Sequence, residues 1–70
     1  MESSRMTIDK CKKFCSGRNY KYAGVEWREQ CFCGNDRPTI PAPDTDCNLP
    51  CTGDKSEICG GGHRINVYQL

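Results

Sequence analysis

Two cysteine pairs constrain the fold of this 70-residue chain more than any other feature of its sequence. Cys11 and Cys15 are four residues apart, so on a helix both sulfurs leave the same face, about 6 Å apart along the axis. Cys31 and Cys33 are two residues apart, so on a strand they also share a face, separated by about 6.6 Å. Because the two intervals match, a helix lying across a strand could be closed by two disulfides in register, Cys11 to Cys31 and Cys15 to Cys33.

The cysteine content also indicates a compartment. The chain has seven cysteines in 70 residues, and a chain this short buries too little apolar surface to be stable without cross-links. This density is typical of secreted disulfide scaffolds. The chain has no apolar run of the ~20 residues that a membrane span needs, and its first four residues are not a signal peptide. We therefore expect one module of a larger secreted or membrane-anchored protein, outside the cell or at its surface.

The residue pattern predicts a small α+β fold. One helix is expected over residues 7–16, with Thr7 as the N-cap and Gly17 as a left-handed C-cap. Strands are expected over 20–26, 30–34 and 65–68, with residues 27–29 as a hairpin turn. All four prolines fall in residues 37–50, which favours an irregular surface loop. The predicted class is one short helix stapled to a small antiparallel sheet, in a disulfide-rich domain.

The remaining cysteines leave more than one pairing open. Cys51 and Cys59 enclose the turn sequence Thr52-Gly53-Asp54-Lys55, so a bridge between them would close a small loop. Three intrachain bridges among seven cysteines can be drawn in about a hundred ways. If the three pairs named above form, Cys47 is the cysteine left over.

Metal binding and catalysis are the alternatives to a structural role. Seven cysteines and His63 could in principle supply zinc ligands. The single-residue gap between Cys31 and Cys33 points two thiolates in parallel along a strand, so disulfides are favoured and no metal or cofactor is predicted. His63 is the only histidine, and no serine or acidic partner is identified by its local sequence, so we predict no enzymatic activity.

Exposed aromatic residues with polar neighbours favour a sugar site, because sugars stack a C–H face on a ring and offer hydroxyls to polar groups. Tyr22, Phe32 and Tyr68 are expected to form the small core. The net charge of +1 is too small for a nucleic-acid footprint. The candidate ligand-binding residues are Trp27, Tyr20, Arg28, Gln30, Asn35 and Asp36.

A series of short motifs gives the chain a family resemblance. They are Cys11 and Cys15 after Met6-Thr7, Tyr22-Ala23-Gly24-Val25-Glu26, Gln30-Cys31-Phe32-Cys33-Gly34-Asn35, Asp46-Cys47, Pro50-Cys51-Thr52-Gly53-Asp54, Cys59-Gly60-Gly61 and Val67-Tyr68. Together they resemble the WSC domain, found in fungal cell-wall stress sensors and secreted enzymes and in animal proteins such as Kremen and polycystin. The resemblance covers residues 6–69 as a single domain and leaves residues 1–5 as a tag or linker.

The resemblance implies the pairs Cys11 to Cys31, Cys15 to Cys33 and Cys51 to Cys59. It also implies an eighth cysteine, in an upstream Gly-Cys-Tyr segment that this sequence lacks, as the partner of Cys47. The domain is thus expected to be truncated at its N-terminus and to lack its first strand.

Two functions follow from the resemblance. The first is a non-catalytic carbohydrate-binding module that recognises a cell-wall or surface polysaccharide such as β-glucan. The second is a protein-interaction module or spacer in an animal receptor ectodomain. A defensin-like toxin has the same cysteine spacing over residues 7–34, but the Cys51 to Cys59 loop and the Val67-Tyr68 ending argue against it.

Overall fold

The computed structural model describes residues 1–36 and 46–70. Its three strands form one antiparallel sheet in the order β2-β1-β3, and the helix packs across β1 and β2. This confirms the predicted fold class, while most of the proline-rich loop expected over 37–50 lies outside the described residues. The elements are α1 (Ile8–Ser16), β1 (Tyr22–Glu26), β2 (Gln30–Gly34) and β3 (Ile65–Gln69).

Helix α1 begins where the sequence predicted. Thr7 is its N-cap in extended conformation, and the Thr7 hydroxyl accepts the N–H of Lys10 at 3.0 Å. Asp9 lies in the first turn, where a carboxylate is favoured by the helix dipole, and it pairs with Lys13 one turn later at 3.0 Å. The start of α1 is therefore fixed by local chemistry alone.

The other end of α1 differs from the prediction. Gly17 has φ −64°, in the right-handed region, so the left-handed cap expected there is wrong. The left-handed residue is Asn19, with φ 65°. The N–H of Asn19 donates to the Ser16 carbonyl at 3.0 Å and that of Tyr20 donates to the Cys15 carbonyl at 3.1 Å, the two bonds of a Schellman motif. Because Tyr20 completes this cap, β1 starts two residues later than predicted.

Three disulfides hold the fold together: Cys11–Cys31, Cys15–Cys33 and Cys51–Cys59. The Cα atoms of the two helix-to-strand pairs are 5.5 and 5.4 Å apart, within the ordinary range for a bridge. These are the pairs that the spacing and the resemblance led us to expect. Cys47 is half-buried and belongs to none of the three.

The core of the described residues is largely sulfur. Of its eight buried hydrophobic residues, five are cysteines, and the others are Met6, Ala23 and Val25. Tyr68 packs against this cluster as expected. Tyr22 is half-buried, but it alternates with the core residue Ala23 and lies on the opposite face of the sheet, so its expected place in the core is wrong. Phe32 is 48% exposed, so its expected place in the core is wrong. It lies between two cysteines that face α1, and neighbouring strand residues point to opposite faces.

The first residues of the chain, expected to be a tag or linker, run beside β2. Met1 and Cys31 exchange two backbone hydrogen bonds, at 2.6 and 2.8 Å, and the N–H of Ser3 donates to the Glu29 carbonyl at 3.0 Å. Thr52 then joins this segment to the Cys51–Cys59 loop, since its hydroxyl accepts the N–H of Met6 at 3.0 Å and donates to the Ser3 carbonyl at 2.9 Å.

Candidate functional site

The turn between β1 and β2 carries the only tryptophan of the chain. Trp27 and Arg28 both adopt left-handed backbone conformations, with φ 52° and 70°, each of which costs about 1–2 kcal/mol for a residue other than glycine. Such a conformation persists only where surrounding contacts hold it. The Arg28 N–H donates to the Cys59 carbonyl at 3.0 Å, and the Thr52 N–H donates to the Arg28 carbonyl at 3.2 Å. The small disulfide loop thus holds the turn that presents Trp27.

A polar cleft of about 430 Å³ lies beside this turn. The Trp27 side chain is 44% exposed and lies next to two residues that line the cleft, Gly62 and His63. Its ring meets the His63 ring edge-to-face, with centroids 5.5 Å apart, and a Cβ built on Gly62 would lie 3.4 Å from Trp27 Cη2. The lining residues are Asp46, Asn48, Gly62, His63 and Arg64.

A tight hairpin places three of these lining residues. Gly61 and Arg64 form an isolated antiparallel bridge, and the Gly61 N–H donates to the Arg64 carbonyl at 2.9 Å. His63 occupies the turn with φ 56°. Asp46 lies close against this hairpin, because a Cβ on Gly61 would overlap the Asp46 carbonyl oxygen. Glycine at position 61 therefore allows the two segments to meet.

An ion pair fixes the polar groups of the cleft. Arg64 Nε donates to Asp46 Oδ2 at 3.0 Å, and Arg64 Nη1 donates to the His63 carbonyl at 3.0 Å. At this exposure the pair adds little to stability, but it orients a carboxylate and a guanidinium towards the same space. In the part of the chain that the structure describes, the Asn48 amide and the His63 ring make no hydrogen bond. These groups are open to a ligand's hydroxyls.

The six predicted ligand-binding residues fall into two groups. Trp27, Arg28 and Gln30 lie at the turn end of the sheet, while Tyr20, Asn35 and Asp36 lie at the opposite end. The length of β1 separates the groups by about 13 Å. In the second group, Tyr20 is exposed as expected. The side-chain Oδ1 of Asn35 accepts the backbone N–H of Lys21 at 3.1 Å, so the Asn35 side chain has a structural role.

The polar lining of the cleft was not predicted as a site. From the sequence, Asp46 is interpreted as a solvated loop residue and His63 as an isolated histidine. Their place near Trp27 depends on contacts between chain segments that are far apart in sequence. The glycine run at 60–62 was the available signal, since glycines permit close backbone approach.

Three sulfurs come close enough together to suggest a metal centre. Cys11, Cys15 and Cys31 have Sγ atoms within 4.8 Å of one another, the one such cluster among residues 1–36 and 46–70. All three sulfurs are in disulfides, and a metal ligand must be a thiolate. The cluster is part of the structural cross-linking.

The fold and the turn define a small disulfide-stapled α+β module that presents a tryptophan beside a polar cleft. The family model of the WSC domain matches residues 1–61, and the chain belongs to the WSC domain family. The predicted resemblance is thereby confirmed.

The module is similar to parts of several larger proteins. It is 44% identical over 66 residues to a WSC domain-containing protein of Arthroderma benhamiae, covering 91% of this chain and 9% of that protein. It is 44% identical over 62 residues to Xylosyltransferase oxt of Drosophila melanogaster, covering 86% of this chain and 7% of that protein. It is 38% identical over 71 aligned positions to Kremen protein 2 of Mus musculus, covering 97% of this chain and 15% of that protein.

The chain thus spans less than a sixth of the length of these curated relatives. Within the described residues no helix is long and apolar enough to cross a membrane.

Proposed function

We propose that this chain is a non-catalytic module that binds polysaccharide in the cleft beside Trp27. The observation that carries the proposal is the half-exposed indole ring bordering a cleft whose lining side chains are nearly all polar. A pyranose ring can lay its C–H face on the indole, while its hydroxyls reach Asp46, Asn48 and the His63 ring.

The charges of the cleft favour a neutral polymer, such as a β-glucan. Asp46 and Arg64 neutralise each other at 3.0 Å, so the cleft offers both an acceptor and a donor without a strong net charge. Adjacent sugar hydroxyls both donate and accept, so they match such a pair. A single site of this size is expected to bind at about millimolar Kd, or ~4 kcal/mol, with useful retention coming from several modules together.

Preorganisation supports the same proposal. The Trp27 turn is held by the Cys51–Cys59 loop, and Arg64 is fixed by two hydrogen bonds. A site that is already ordered loses less side-chain entropy on binding. The disulfide content supports a location at the cell surface or outside the cell, because disulfides persist in oxidising compartments.

A binding role fits the cleft better than hydrolysis does. Glycosidases use two carboxyl groups about 5–9.5 Å apart. Among the described lining residues only Asp46 carries a carboxylate, and it is held in the ion pair with Arg64. Catalysis by relatives that include such a module is a property of those longer proteins.

Retention of the oxidised protein on insoluble β-glucan, xylan and chitin tests the proposal. We expect retention on β-glucan, an at least tenfold loss with Trp27→Ala, and a smaller loss with Trp27→Phe, which keeps an aromatic face. Tyr20→Ala is the matched control, because it removes an exposed ring at the other end of the sheet and is expected to leave retention unchanged. No retention on any polymer, or retention that Trp27→Ala leaves intact, would overturn the proposal.

A further inference from the structure

The sheet face opposite α1 carries an exposed apolar trough. Alternation along the strands places Gly24, Phe32 and Val67 on this face, and the register sets Phe32 and Val67 on either side of Gly24. Phe32 is 48% and Ile65 41% exposed. The trough has a volume of about 160 Å³ and is lined chiefly by apolar side chains, with Tyr22 at one end.

Gly24 and the Ile65 side chain together shape the floor of the trough. A Cβ built at Gly24 would lie 2.5 Å from Ile65 Cδ1 and 2.9 Å from Ile65 Cγ1. The Ile65 side chain can therefore lean across β1 only because position 24 has no side chain. The result is a shallow depression floored by β1 and the Ile65 side chain, with Phe32 and Val67 as walls on the two neighbouring strands.

The chemistry of the trough excludes some occupants. A sugar needs several polar partners around the ring that it stacks on, and this surface offers few. A second copy of the chain would need about 800 Å² of buried surface per partner for a stable interface. The exposed 48% of Phe32 corresponds to about 70–120 Å², since an aromatic side chain buries 150–250 Å² in full, so the trough is much smaller than such an interface. The trough suits one or two side chains of a peptide.

The border of the trough is acidic. Asp36 lines one end, and Glu26 lies on the same face of β1, paired with Gln30 and Ile65 in the register. Among the described lining residues there is no Lys or Arg. A basic residue next to an apolar anchor would therefore be electrostatically matched to this face.

We propose that this face, defined by Tyr22, Gly24, Phe32, Ile65 and Val67, docks an extended segment of a partner protein. An aromatic or branched aliphatic side chain of that segment packs against Ile65 between Phe32 and Val67, and a flanking Lys or Arg faces Asp36 or Glu26. Docking of this kind uses none of the residues that line the Trp27 cleft, so the module can hold a polysaccharide and a protein segment at once.

The test is a heteronuclear NMR titration of the oxidised chain with capped pentapeptide probes. The first probe has a central phenylalanine between lysines, the second the same phenylalanine between glutamates, and the third a serine between lysines. We expect the lysine-flanked phenylalanine probe to shift the amide signals of Gly24, Phe32 and Val67. The glutamate-flanked probe should bind several-fold more weakly, and the serine probe should cause no shifts.

Variants of two trough residues, the exposed Phe32 and the half-buried Val67, separate this proposal from the polysaccharide site. Phe32→Thr and Val67→Thr should each weaken binding of the lysine-flanked phenylalanine probe at least fivefold while leaving β-glucan retention unchanged. Trp27→Ala should lower β-glucan retention and leave binding of the lysine-flanked phenylalanine probe unchanged. Shifts at Trp27 and His63, equal binding of all three probes, or no shifts with any probe would overturn the proposal. So would self-association of the protein through this face, or shifts there on adding a glucan oligosaccharide.

Discussion

The left-handed residue after α1 is Asn19 and not Gly17, so alanine is expected to destabilise the protein at position 19 and to stabilise it at position 17. Asn19 has φ 65° and Gly17 has φ −64°. Alanine in the left-handed region costs about 1–2 kcal/mol, and asparagine already bears part of that cost, so Asn19→Ala should destabilise the protein by about 1 kcal/mol. Asn19→Gly should be close to neutral, because glycine adopts this conformation readily.

Gly17→Ala should have the reverse effect. At a right-handed position alanine restricts the unfolded chain and stabilises by about 0.4–1 kcal/mol. Its Cβ would lie 3.2 Å from the Lys13 carbonyl oxygen, a tight backbone contact that offsets part of this gain, so the net stabilisation is expected to be at most about 0.4 kcal/mol.

Urea unfolding followed by circular dichroism, with all three disulfides intact, measures both changes. A loss of 1 kcal/mol corresponds to a melting temperature lower by roughly 4–8 °C for a domain of this size. A neutral Asn19→Ala combined with a destabilising Gly17→Ala would refute the reasoning, since it would place the cap at the glycine.

Three further predictions concern single residues. Burial raises the pKa of Tyr68, so the free energy of unfolding should fall as the pH rises from about 10 through the folded-state pKa. Tyr68→Phe should remove that fall, which urea unfolding at alkaline pH measures. The hydroxyl and N–H of Ser56 donate to Asp54 Oδ1 at 2.6 and 3.0 Å and hold the pKa of Asp54 below its usual 3.8. An NMR titration should show that pKa rising in Ser56→Ala; the stabilisation that this low pKa gives is present above pH 3.8 and is lost as the pH falls through the folded-state value. Gly60 has φ 77°, and a Cβ there would lie 2.5 Å from the backbone of β1, so Gly60→Ala should destabilise the protein by about 2–5 kcal/mol. Gly34 has open space around it, so Gly34→Ala should change the free energy of unfolding by no more than ~0.5 kcal/mol in the same urea experiment.

The cysteine framework was predictable because it depends on two fixed periodicities. A helix returns to one face after four residues and a strand after two, so the equal intervals predict that Cys11 and Cys15 bridge to Cys31 and Cys33. The family resemblance implies which of these cysteines pair with each other. The exposure of Phe32 follows from the same geometry: a residue between two helix-facing cysteines on a strand must point the other way. The expectation that Phe32 is buried rested on its apolar character and ignored this alternation.

Other features depend on contacts that no local pattern contains. Glycine and asparagine both favour the left-handed region, so the sequence alone did not choose between Gly17 and Asn19. The Trp27 cleft needs residues from three separated segments, and the ion pair that fixes it joins Asp46 to Arg64 across 18 positions. The separation of Tyr20 from Trp27, in contrast, follows from the strand between them and could have been read from the hairpin.

The central claim is that the Trp27 cleft binds polysaccharide, and a heteronuclear NMR titration with a soluble β-glucan oligosaccharide tests it most directly. We expect the largest shifts at the Trp27 indole N–H, the His63 ring and the Arg64 Nε–H, with saturation at millimolar concentrations. Shifts confined to Tyr20 and Asn35, or no shifts at those concentrations, would contradict it.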